Sequence, residues 1–401
     1  MKSILLLGTT CLLLLTLAGC RQTSEPTENN STSTSTETVT STTEEIKSSD
    51  EQSTDSSTKE TTESTEAKEE VTGEVYQGQY ELPLQGASGY ASINLPLRDA
   101  PNIQGAELRR LEPGTGFTII KEENGWLNVK IDGQTGWLDS HFCLVNLPDI
   151  IPSIKYNISN NTKSLFTSSG HTIPNVTGQV LYESRDLNKR LNKEEYIVPV
   201  LYNMAGKIMN AQKAALADGN TLVIYEAFRP LSVQLNVANQ LMQLAQSTPE
   251  VMSGIASAPW QIDWFISTKV SNHQVGYAID VTVAKIDTSK QKKVGKYLVT
   301  DIDGYLEYPM HTPMHELSAQ SAIYTSPVNT NSRTAWQSAA VNPNNSENVA
   351  LLQHYLITNG GLTPLASEWW HFNDLDALDG LQNLGGNGDY VLHSTYSEIP
   401  K

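Results

Sequence analysis

The sequence predicts an α+β domain with an antiparallel sheet, preceded by a small all-β unit. Short runs of alternating apolar and polar residues, broken by Gly, Pro and Asn, fill residues 86–147 and are typical of strands joined by tight turns. Residues 181–385 show helical spacing first and strand-like segments later, which indicates α+β and not alternating βαβ units. The chain of 401 residues has room for both units and for an N-terminal extension.

The first twenty residues have the composition of an export leader. Lys2 supplies a positive charge, and residues 4–17 form an apolar stretch that is short for a membrane span. The closing Leu17-Ala18-Gly19-Cys20 resembles the lipobox of bacterial lipoproteins. The resemblance implies acylation of Cys20 and a lipid anchor at the extracellular face of the cell membrane. The alternative is an ordinary signal peptide with an incidental cysteine.

Residues 21–85 are predicted to form a disordered tether through the cell wall. Up to about residue 73 the stretch is almost entirely Ser, Thr, Glu, Asp and Lys, with 13 acidic and 4 basic residues. It contains too little apolar surface to offset the entropy of ordering. The whole chain has a formal net charge of -17, which argues against nucleic acid as a partner because phosphates would be repelled.

The all-β unit carries a motif set of its own. Strands are expected at residues 117–120, 126–131 and 135–138, the last two joined by an Asp-Gly turn. The order "NLPLRDAP" followed by "NGWLNVKIDGQTGWL" resembles a bacterial SH3-like domain. That resemblance implies binding to wall peptides or cross-bridges. The alternative is a spacer in which Trp126 and Trp137 are core residues.

The rest of the chain is divided by the same reasoning. Residues 148–180, rich in Pro and Asn, are predicted to be a linker, and residues 386–401 a C-terminal tail. Between them, helical spacing begins at Tyr182 and ends at Gly219. Further elements are expected in the order strand 221–228, helix 232–246, strand 278–283, helix 349–359 and strand 367–372.

Two segments of the α+β domain hold the residue types of a catalytic metal site. "SNHQVGYAID" contains His273 and Asp280, and "SEWWHF" contains Glu368 and His371. Two imidazoles and one carboxylate can hold Zn²⁺ with a position left for water, and a second carboxylate can act as the base. Glu368 and His371 are three residues apart, which places them on opposite faces of a regular strand. Their pairing therefore requires an irregular start to that strand.

Each of these residues also has a simpler structural interpretation. His273 alone could be an exposed loop imidazole, and Asp280 a buried acid in a turn. The sequence Trp369-Trp370-His371 could be aromatic core. Their joint occurrence, with Arg229 upstream and an export leader, favours the metal site.

Three blocks of the α+β domain resemble one known family. "YEAFRPLSVQ", "SNHQVGYAIDVTV" and "EWWHF" are similar, in this order, to motifs of the zinc D-Ala-D-Ala peptidases, the group of VanY carboxypeptidases and VanX dipeptidases. The likeness spans about residues 181–385. It implies that His273, Asp280 and His371 are zinc ligands and that Glu368 is the catalytic base. By the same resemblance, Arg229 stabilises the oxyanion, and Ser271 and Gln234 contact the substrate.

The resemblance implies hydrolysis of the C-terminal peptide bond of peptidoglycan stem peptides. D-alanyl-D-alanine carboxypeptidase is favoured because stem termini, unlike free dipeptide, are plentiful outside the membrane. The Trp-Trp-His form leans towards the D-Ala-D-Ala dipeptidases, and an L,D-carboxypeptidase is a third enzyme alternative. The non-enzymatic alternative is a cell-wall-binding lipoprotein with an inactive peptidase domain.

Residues 285–346 form an insertion before the last motif. It contains "MHTPMHE", whose His311 and His315 suggest a second metal site. Pro313 lies between them, so the pair is expected to straddle a helix start without sharing a helical face. A lid or a specificity element is therefore the favoured interpretation of the insertion.

Overall fold

A computed structural model describes residues 71–401 of the chain. The predicted leader with Cys20, and the predicted tether up to residue 70, lie outside the described residues. Two β-sheets organise the described part. None of its helices is both long and apolar enough to cross a membrane.

The part of the chain that the structure describes contains eighteen strands and eight α-helices. The strands are β1 (Ser88–Ala91), β2 (Leu95–Arg98), β3 (Glu107–Leu111), β4 (Gly116–Glu123), β5 (Trp126–Ile131), β6 (Gln134–Asp139), β7 (Cys143–Asn146), β8 (Lys155–Tyr156), β9 (Thr167–Ser168), β10 (His171–Thr172), β11 (Arg185–Asn188), β12 (Lys193–Tyr196), β13 (Pro199–Leu201), β14 (Asn220–Glu226), β15 (Ala278–Val294), β16 (Tyr297–Glu307), β17 (Thr363–Leu365) and β18 (Glu368–Asn373). The helices are α1 (Leu147–Ile150), α2 (Ser159–Thr162), α3 (Tyr202–Ala217), α4 (Leu231–Ser247), α5 (Pro249–Ala256), α6 (Asn272–Val275), α7 (Glu347–Gln353), which continues as a π-helix (His354–Asn359), and α8 (Leu375–Gly380).

The first sheet is antiparallel, with the strand order β13-β7-β1-β4-β5-β6-β2-β3. Strands β1 to β7 occupy the predicted all-β unit, and the three strands expected from the sequence are present as β4, β5 and β6. Alternate side chains of a strand point to one face, and here that face is the core. The core side chains include Leu97, Phe117, Ile119, Leu127, Val129 and Leu138, all fully buried.

The eighth strand of this sheet, β13, lies beyond the predicted all-β unit. It pairs with β7, which places Val200 opposite Val145 and Leu201 opposite Leu144. β13 then leads directly into α3, the helix that packs on β14. The all-β unit and the α+β domain are therefore joined through a shared sheet.

The second sheet belongs to the α+β domain and has the order β17-β18-β15-β14-β8, with β16 also paired to β15. Every pairing is antiparallel except that of β14 with β8. Directly opposed residues of antiparallel strands share one face. The register places Glu226 opposite Asp280 and Asp280 opposite His371. Three neighbouring strands thus present ionisable side chains in one row.

Two segments that the sequence assigns to connections pack against the fold. Within the predicted tether, Tyr80 and Leu82 are buried, and Glu81 N donates to Ile150 O at 3.1 Å. Within the predicted linker, Ile154 and Phe166 are buried, and β8 pairs with β14. Both predictions are wrong for these stretches because their scattered apolar side chains find partners in distant parts of the chain.

The long helix is shorter than its spacing predicts. Residues 185–196 form the hairpin of β11 and β12, and the helix α3 begins only at Tyr202. Pro199 lies inside the predicted span, and a helix interior does not accommodate proline. The chain is extended at this point instead and adds β13 to the first sheet.

The predicted C-terminal tail lies along the first sheet. Thr118 Oγ1 donates to Tyr396 O at 2.6 Å, and Tyr90 OH donates to Ser394 O at 2.9 Å. Glu398 N donates to Gly86 O at 2.8 Å. The tail is therefore part of the packed fold.

Candidate metal centre

His273 lies in α6, the one-turn helix that the "SNHQVG" segment forms. Ser271 N donates to Gln274 Oε1 at 2.7 Å, which closes the start of this helix. Gly276 ends it in the left-handed region, with φ 91°. The Nδ1 atom of His273 lies 2.6 Å from Ala227 O, and a carbonyl can only accept, so Nδ1 donates. The lone pair of Nε2 therefore faces the site.

Strands β7 and β13 of the first sheet contact this turn. Leu201 N donates to Gly276 O at 2.8 Å. A Cβ atom added to Gly276 would lie 2.6 Å from Leu144 Cδ2, closer than real Cβ contacts allow. Leu144 is fully buried and has little room to move away, so the contact favours glycine at this position.

We expect Gly276→Ala to destabilise the fold by about 2–4 kcal/mol, the sum of a left-handed backbone penalty and the contact with Leu144. Urea unfolding measures this loss. Gly133→Ala is the matched control, because Gly133 has φ 83° and no atom within 4 Å of an added Cβ. It isolates the backbone term, about 1–2 kcal/mol. Equal losses in the two variants would contradict the role of Leu144.

Asp280 on β15 and His371 on β18 complete a triangle with His273. The three facing atoms are His273 Nε2, His371 Nδ1 and Asp280 Oδ1. The two nitrogens are 3.2 Å apart, and Oδ1 lies 3.3 Å from His273 Nε2 and 3.1 Å from His371 Nδ1. The other nitrogen of His371, Nε2, is 3.0 Å from Asn373 Oδ1, which also accepts from Asn272 Nδ2 at 2.7 Å.

This triangle has the properties of a cation site. Each histidine uses its outer nitrogen as a donor, so both inner nitrogens present lone pairs beside a carboxylate oxygen. Three such acceptors at 3.1–3.3 Å repel one another unless a cation lies between them. Ligand atoms of a tetrahedral zinc site, with bonds of about 2.0–2.1 Å, are separated by about 3.3 Å. All three side chains are buried, so the residues present fit Zn²⁺.

Electrostatics at the triangle favour the metal-binding forms of His273 and Asp280, but not that of His371. Burial lowers the pKa of His273, which favours the neutral imidazole. Burial alone would raise the pKa of Asp280, but the surrounding histidines lower it well below its usual value. For His371, burial opposes the charged form, but the adjacent carboxylates of Asp280 and Glu368 outweigh burial and raise its pKa. A bound cation would take the place of that proton, because a ligating imidazole must be neutral.

Glu368 is the first residue of β18 and lies beside this triangle. The pairing of β17 with β18 jumps from Pro364–Phe372 to Leu365–Glu368, so the strand starts irregularly. This irregularity meets the condition that the sequence imposes on the Glu368–His371 pair. Glu368 Oε2 lies 3.6 Å from His371 Nδ1. Burial raises the pKa of Glu368 to about 8.

Arg229 follows β14 and reaches the same site from the opposite side. Its Nε lies 2.9 Å from Glu226 Oε2, its Nη1 donates to Gln234 Oε1 at 2.9 Å, and its Nη2 is 3.5 Å from Asp280 Oδ2. Burial opposes the charge of Arg229, but Glu226, Asp280 and Glu368 raise its pKa. The guanidinium is therefore a fixed cation.

A cavity of about 400 Å³ opens onto these groups. Its apolar wall includes Trp264, Phe265, Ile266 and Leu365, and Thr330 of the insertion also lines it. Of the seven predicted site residues, only Asp280 does not line the cavity. The other six do, and they are Arg229, Gln234, Ser271, His273, Glu368 and His371. All seven predicted residues are thus brought together.

The two predicted substrate contacts differ in what they can offer. Ser271 lines the cavity, and its side-chain oxygen faces the backbone N–H of Gln274 at the start of α6. Gln234, by contrast, receives Arg229 Nη1 on its oxygen, and its Nε2 donates to Ser267 O at 2.9 Å. Both polar atoms of the Gln234 amide are therefore engaged, and its oxygen orients Arg229. The resemblance assigns this same amide to substrate contact.

Several residues that shape the site lie outside the sequence motifs. Glu226 fixes Arg229, and Asn373 fixes His371 from two positions along the same strand. Asn373 could have been found, because residues two apart on a strand share a face. In the sequence, His315 stands out only as one of a pair with His311. It lies in an irregular segment, and its Nε2 is 3.1 Å from Asp280 Oδ2.

Comparisons with known proteins identify one part of the chain. Residues 93–142 match the family model described as bacterial SH3 domain, so the chain carries such a domain. A stretch of 87 residues, 22% of this chain, is 29% identical to "Putative N-acetylmuramoyl-L-alanine amidase YrvJ" of Bacillus subtilis (strain 168). The match spans only 16% of that relative's length.

A solved structure is also similar to part of the chain. It is a crystal structure of a mutant of the vancomycin resistance D,D-pentapeptidase VanY from a VanB-type resistance cassette, in complex with Zn(II). The likeness covers 54% of this chain and 90% of the VanY chain, with 11% sequence identity and a TM-score of 0.20.

Proposed function

We propose that this chain is a zinc metallopeptidase that hydrolyses the C-terminal peptide bond of peptidoglycan stem peptides as a D-alanyl-D-alanine carboxypeptidase. The observation that carries the proposal is the triangle of His273, Asp280 and His371 beside Glu368 and Arg229. The SH3 domain, and a relative named as a putative N-acetylmuramoyl-L-alanine amidase, support the cell wall as the location of the substrate.

Zn²⁺ would be held by His273 Nε2, Asp280 Oδ1 and His371 Nδ1. When bound, the ion supplies Lewis acidity and lowers the pKa of water toward about 7. The hydrogen bonds from His273 to Ala227 and from His371 to Asn373 fix the ring orientations that ligation requires.

Glu368 serves as the proton acceptor in this proposal. Its carboxylate faces the triangle and the cavity, where the attacking water and the scissile carbonyl would meet. A buried carboxyl with a pKa of about 8 can take a proton from water and return it to the leaving amine near neutral pH. Water thus adds across the peptide bond, giving a new carboxyl and free D-alanine.

Arg229 serves as the stabiliser of the developing oxyanion. Its guanidinium is fixed on three sides by Glu226, Gln234 and Asp280, and it lines the cavity. A preorganised cation in a buried site costs little reorganisation when charge develops. The Ser271 hydroxyl, which lines the cavity, can donate a hydrogen bond to the peptide.

The SH3 domain is proposed to bind wall peptide rather than to act as a spacer. A spacer would bury Trp126 and Trp137 in its core, yet both are only partly buried. Lys121 Nζ lies 5.0 Å from the centre of the Trp137 ring, within cation–π distance. A part-exposed indole beside a cation suits an amphipathic peptide.

Mass spectrometry of defined muropeptides, incubated with the zinc-loaded full chain, tests the reaction. We expect a pentapeptide stem to lose its terminal D-alanine. Conversion of a tetrapeptide stem to a tripeptide would show an L,D-carboxypeptidase. Cleavage restricted to free D-Ala-D-Ala would show a dipeptidase. If none of these substrates is cleaved, the chain is a wall-binding protein and the proposal is wrong.

We expect one zinc ion per chain, removable by chelators, because the ligand set has no redundancy. Elemental analysis of the purified full chain, before and after dialysis against a chelator, measures the stoichiometry. Zinc at well below one equivalent after reloading would exclude the metallopeptidase.

Membrane anchoring is proposed through Cys20, in the lipobox-like "LAGC". Cys20→Ala should release the chain into the medium, since a polar acidic segment has no affinity for a bilayer. Its activity on soluble peptides should equal that of the anchored form. Cell fractionation measures this, and a variant that remains with the membranes would contradict the lipid anchor.

A further inference from the structure

We propose that His315 is a positioning residue that confines Asp280 to a single metal-facing oxygen; this rests on the zinc site of the proposed function. The two carboxylate oxygens of Asp280 have different surroundings. Oδ1 faces His273 and His371. Oδ2 points away from them, 3.1 Å from His315 Nε2 and 3.5 Å from Arg229 Nη2. His315 thus makes the shorter contact with the outer oxygen.

The His315 ring is fixed by packing against two aromatic side chains. It is 1% exposed, its ring stacks on Phe166 at 4.6 Å, and its edge meets Trp370 at 5.8 Å. The adjacent Glu316 is buried and accepts hydrogen bonds from Thr167 Oγ1 at 2.6 Å and from Ser318 Oγ at 2.8 Å. The insertion therefore delivers His315 to the site as a rigid element.

The direction of the hydrogen bond follows from the chemistry of the partners. An ionised carboxylate can only accept, so His315 Nε2 donates to Asp280 Oδ2. Within residues 71–401, His315 Nδ1 is buried without a partner, so Nε2 makes the one hydrogen bond found between this ring and that part of the chain.

Asp280 needs such a donor because a carboxylate can bind a cation through one oxygen or through two. If Oδ2 were unpartnered, it could turn toward the ion and occupy the position that a catalytic zinc site keeps open. A hydrogen bond to Oδ2 opposes that rotation. His315 thereby preserves the open position without touching the ion or the peptide.

A second metal ion is the competing explanation of the contact between His315 and Asp280. Ligand atoms of Glu226, Asp280 and His315 also lie close enough together to hold one. Arg229 argues against it. Its Nε lies 2.9 Å from Glu226 Oε2, so a cation already neutralises that carboxylate. The bond between His315 and Asp280 is then sufficient to explain the cluster.

Two substitutions of His315 separate the hydrogen bond from the fold. In His315→Gln, the amide nitrogen can reach the position of Nε2 and donate to Asp280. In His315→Asn, the amide is too short to reach Oδ2, although Asn is well suited to the backbone φ of 59° at this position. Both variants are purified as full chains and loaded with Zn²⁺ or Co²⁺.

The readouts are the zinc dissociation constant, by competition with a chromophoric chelator, the visible spectrum of the Co²⁺ form, and urea unfolding. We expect His315→Asn to bind zinc about 10–100-fold more weakly, the usual effect of losing an outer hydrogen bond to a ligand. Its Co²⁺ absorption should fall from the intense four-coordinate form to a weaker, higher-coordinate one. His315→Gln should keep the spectrum and most of the affinity of the native chain.

Three outcomes would overturn the inference. One is an unchanged affinity and spectrum in His315→Asn. Another is an equal loss in both variants that follows their unfolding free energies, because that indicates packing alone. The third is two ions per native chain and one in His315→Asn, since His315 would then be a ligand. These measurements need no substrate, so failure of the muropeptide assay would refute the reaction and leave this inference standing.

Discussion

Glu368→Gln should retain one zinc ion per chain and lose about 10²–10⁴-fold in kcat, the usual contribution of a general base. The substituted amide keeps the shape of the carboxylate but cannot accept a proton from water. Glu368 Oε2 lies 3.6 Å from His371 Nδ1, outside the triangle of closer contacts formed by the three proposed metal ligands. Substrate KM should change little, because the substituted side chain occupies the same wall of the cavity.

Asp263→Asn is the matched control for this variant. Asp263 also lines the cavity, but its carboxylate accepts from Thr268 Oγ1 at 3.1 Å and makes no contact with the metal triangle. We expect kcat to stay close to that of the native chain, because Asp263 has no assigned role in the proposed reaction. If Glu368→Gln lost its zinc, Glu368 would be a ligand and one assigned ligand would be wrong. If it kept full kcat, the water would have another base.

The residues that meet at the candidate site could be picked out in the sequence because each belongs to a short motif. His273 and Asp280 are separated by seven positions with a glycine between them, and Glu368 lies three positions before His371. Residues at such short spacings stay close together in the folded chain when a turn or a strand fixes the backbone between them. The register that sets Asp280 opposite His371 could not be predicted, because it depends on pairing across about ninety residues.

The parts of the fold that sequence reasoning missed are all non-local. β13 joins the first sheet because β7 has a free edge, and nothing in the three residues Pro199–Leu201 specifies that partner. Tyr396 occurs in a polar tail, yet its backbone oxygen accepts a hydrogen bond from Thr118, which lies 278 positions earlier in the chain. Local periodicity therefore located most elements and failed where a short segment gains its stability from distant contacts.

His315 shows the same limit at the site itself. Pro313 and the neighbouring histidines suggested a helix start, but the segment is irregular and His315 takes a positive φ. The position of its ring is set by Phe166 and by the carboxylate of Glu316, which no local pattern connects. A positioning residue of this kind can be found only when side-chain contacts are known.

Arg229→Ala should cost about 10²–10³-fold in kcat, the scale of a lost oxyanion donor, while zinc remains bound. The substitution also leaves the fully buried carboxylate of Glu226 without its cation. Breaking a buried pair in this way costs about 3–5 kcal/mol of folding free energy. A loss of activity alone would therefore not distinguish catalysis from unfolding.

Combining Arg229→Ala with Glu226→Gln separates the two effects. The second change removes the unpaired buried charge, and the remaining amide can still face Asn160, the hydrogen-bond partner of Glu226 in the native chain. We expect urea unfolding to show recovery of most of the lost stability, while kcat stays as low as in Arg229→Ala, because no cation has returned to the cavity. If kcat recovered together with stability, Arg229 would act only through the fold, and the oxyanion would be stabilised by the metal and the remaining cavity donors.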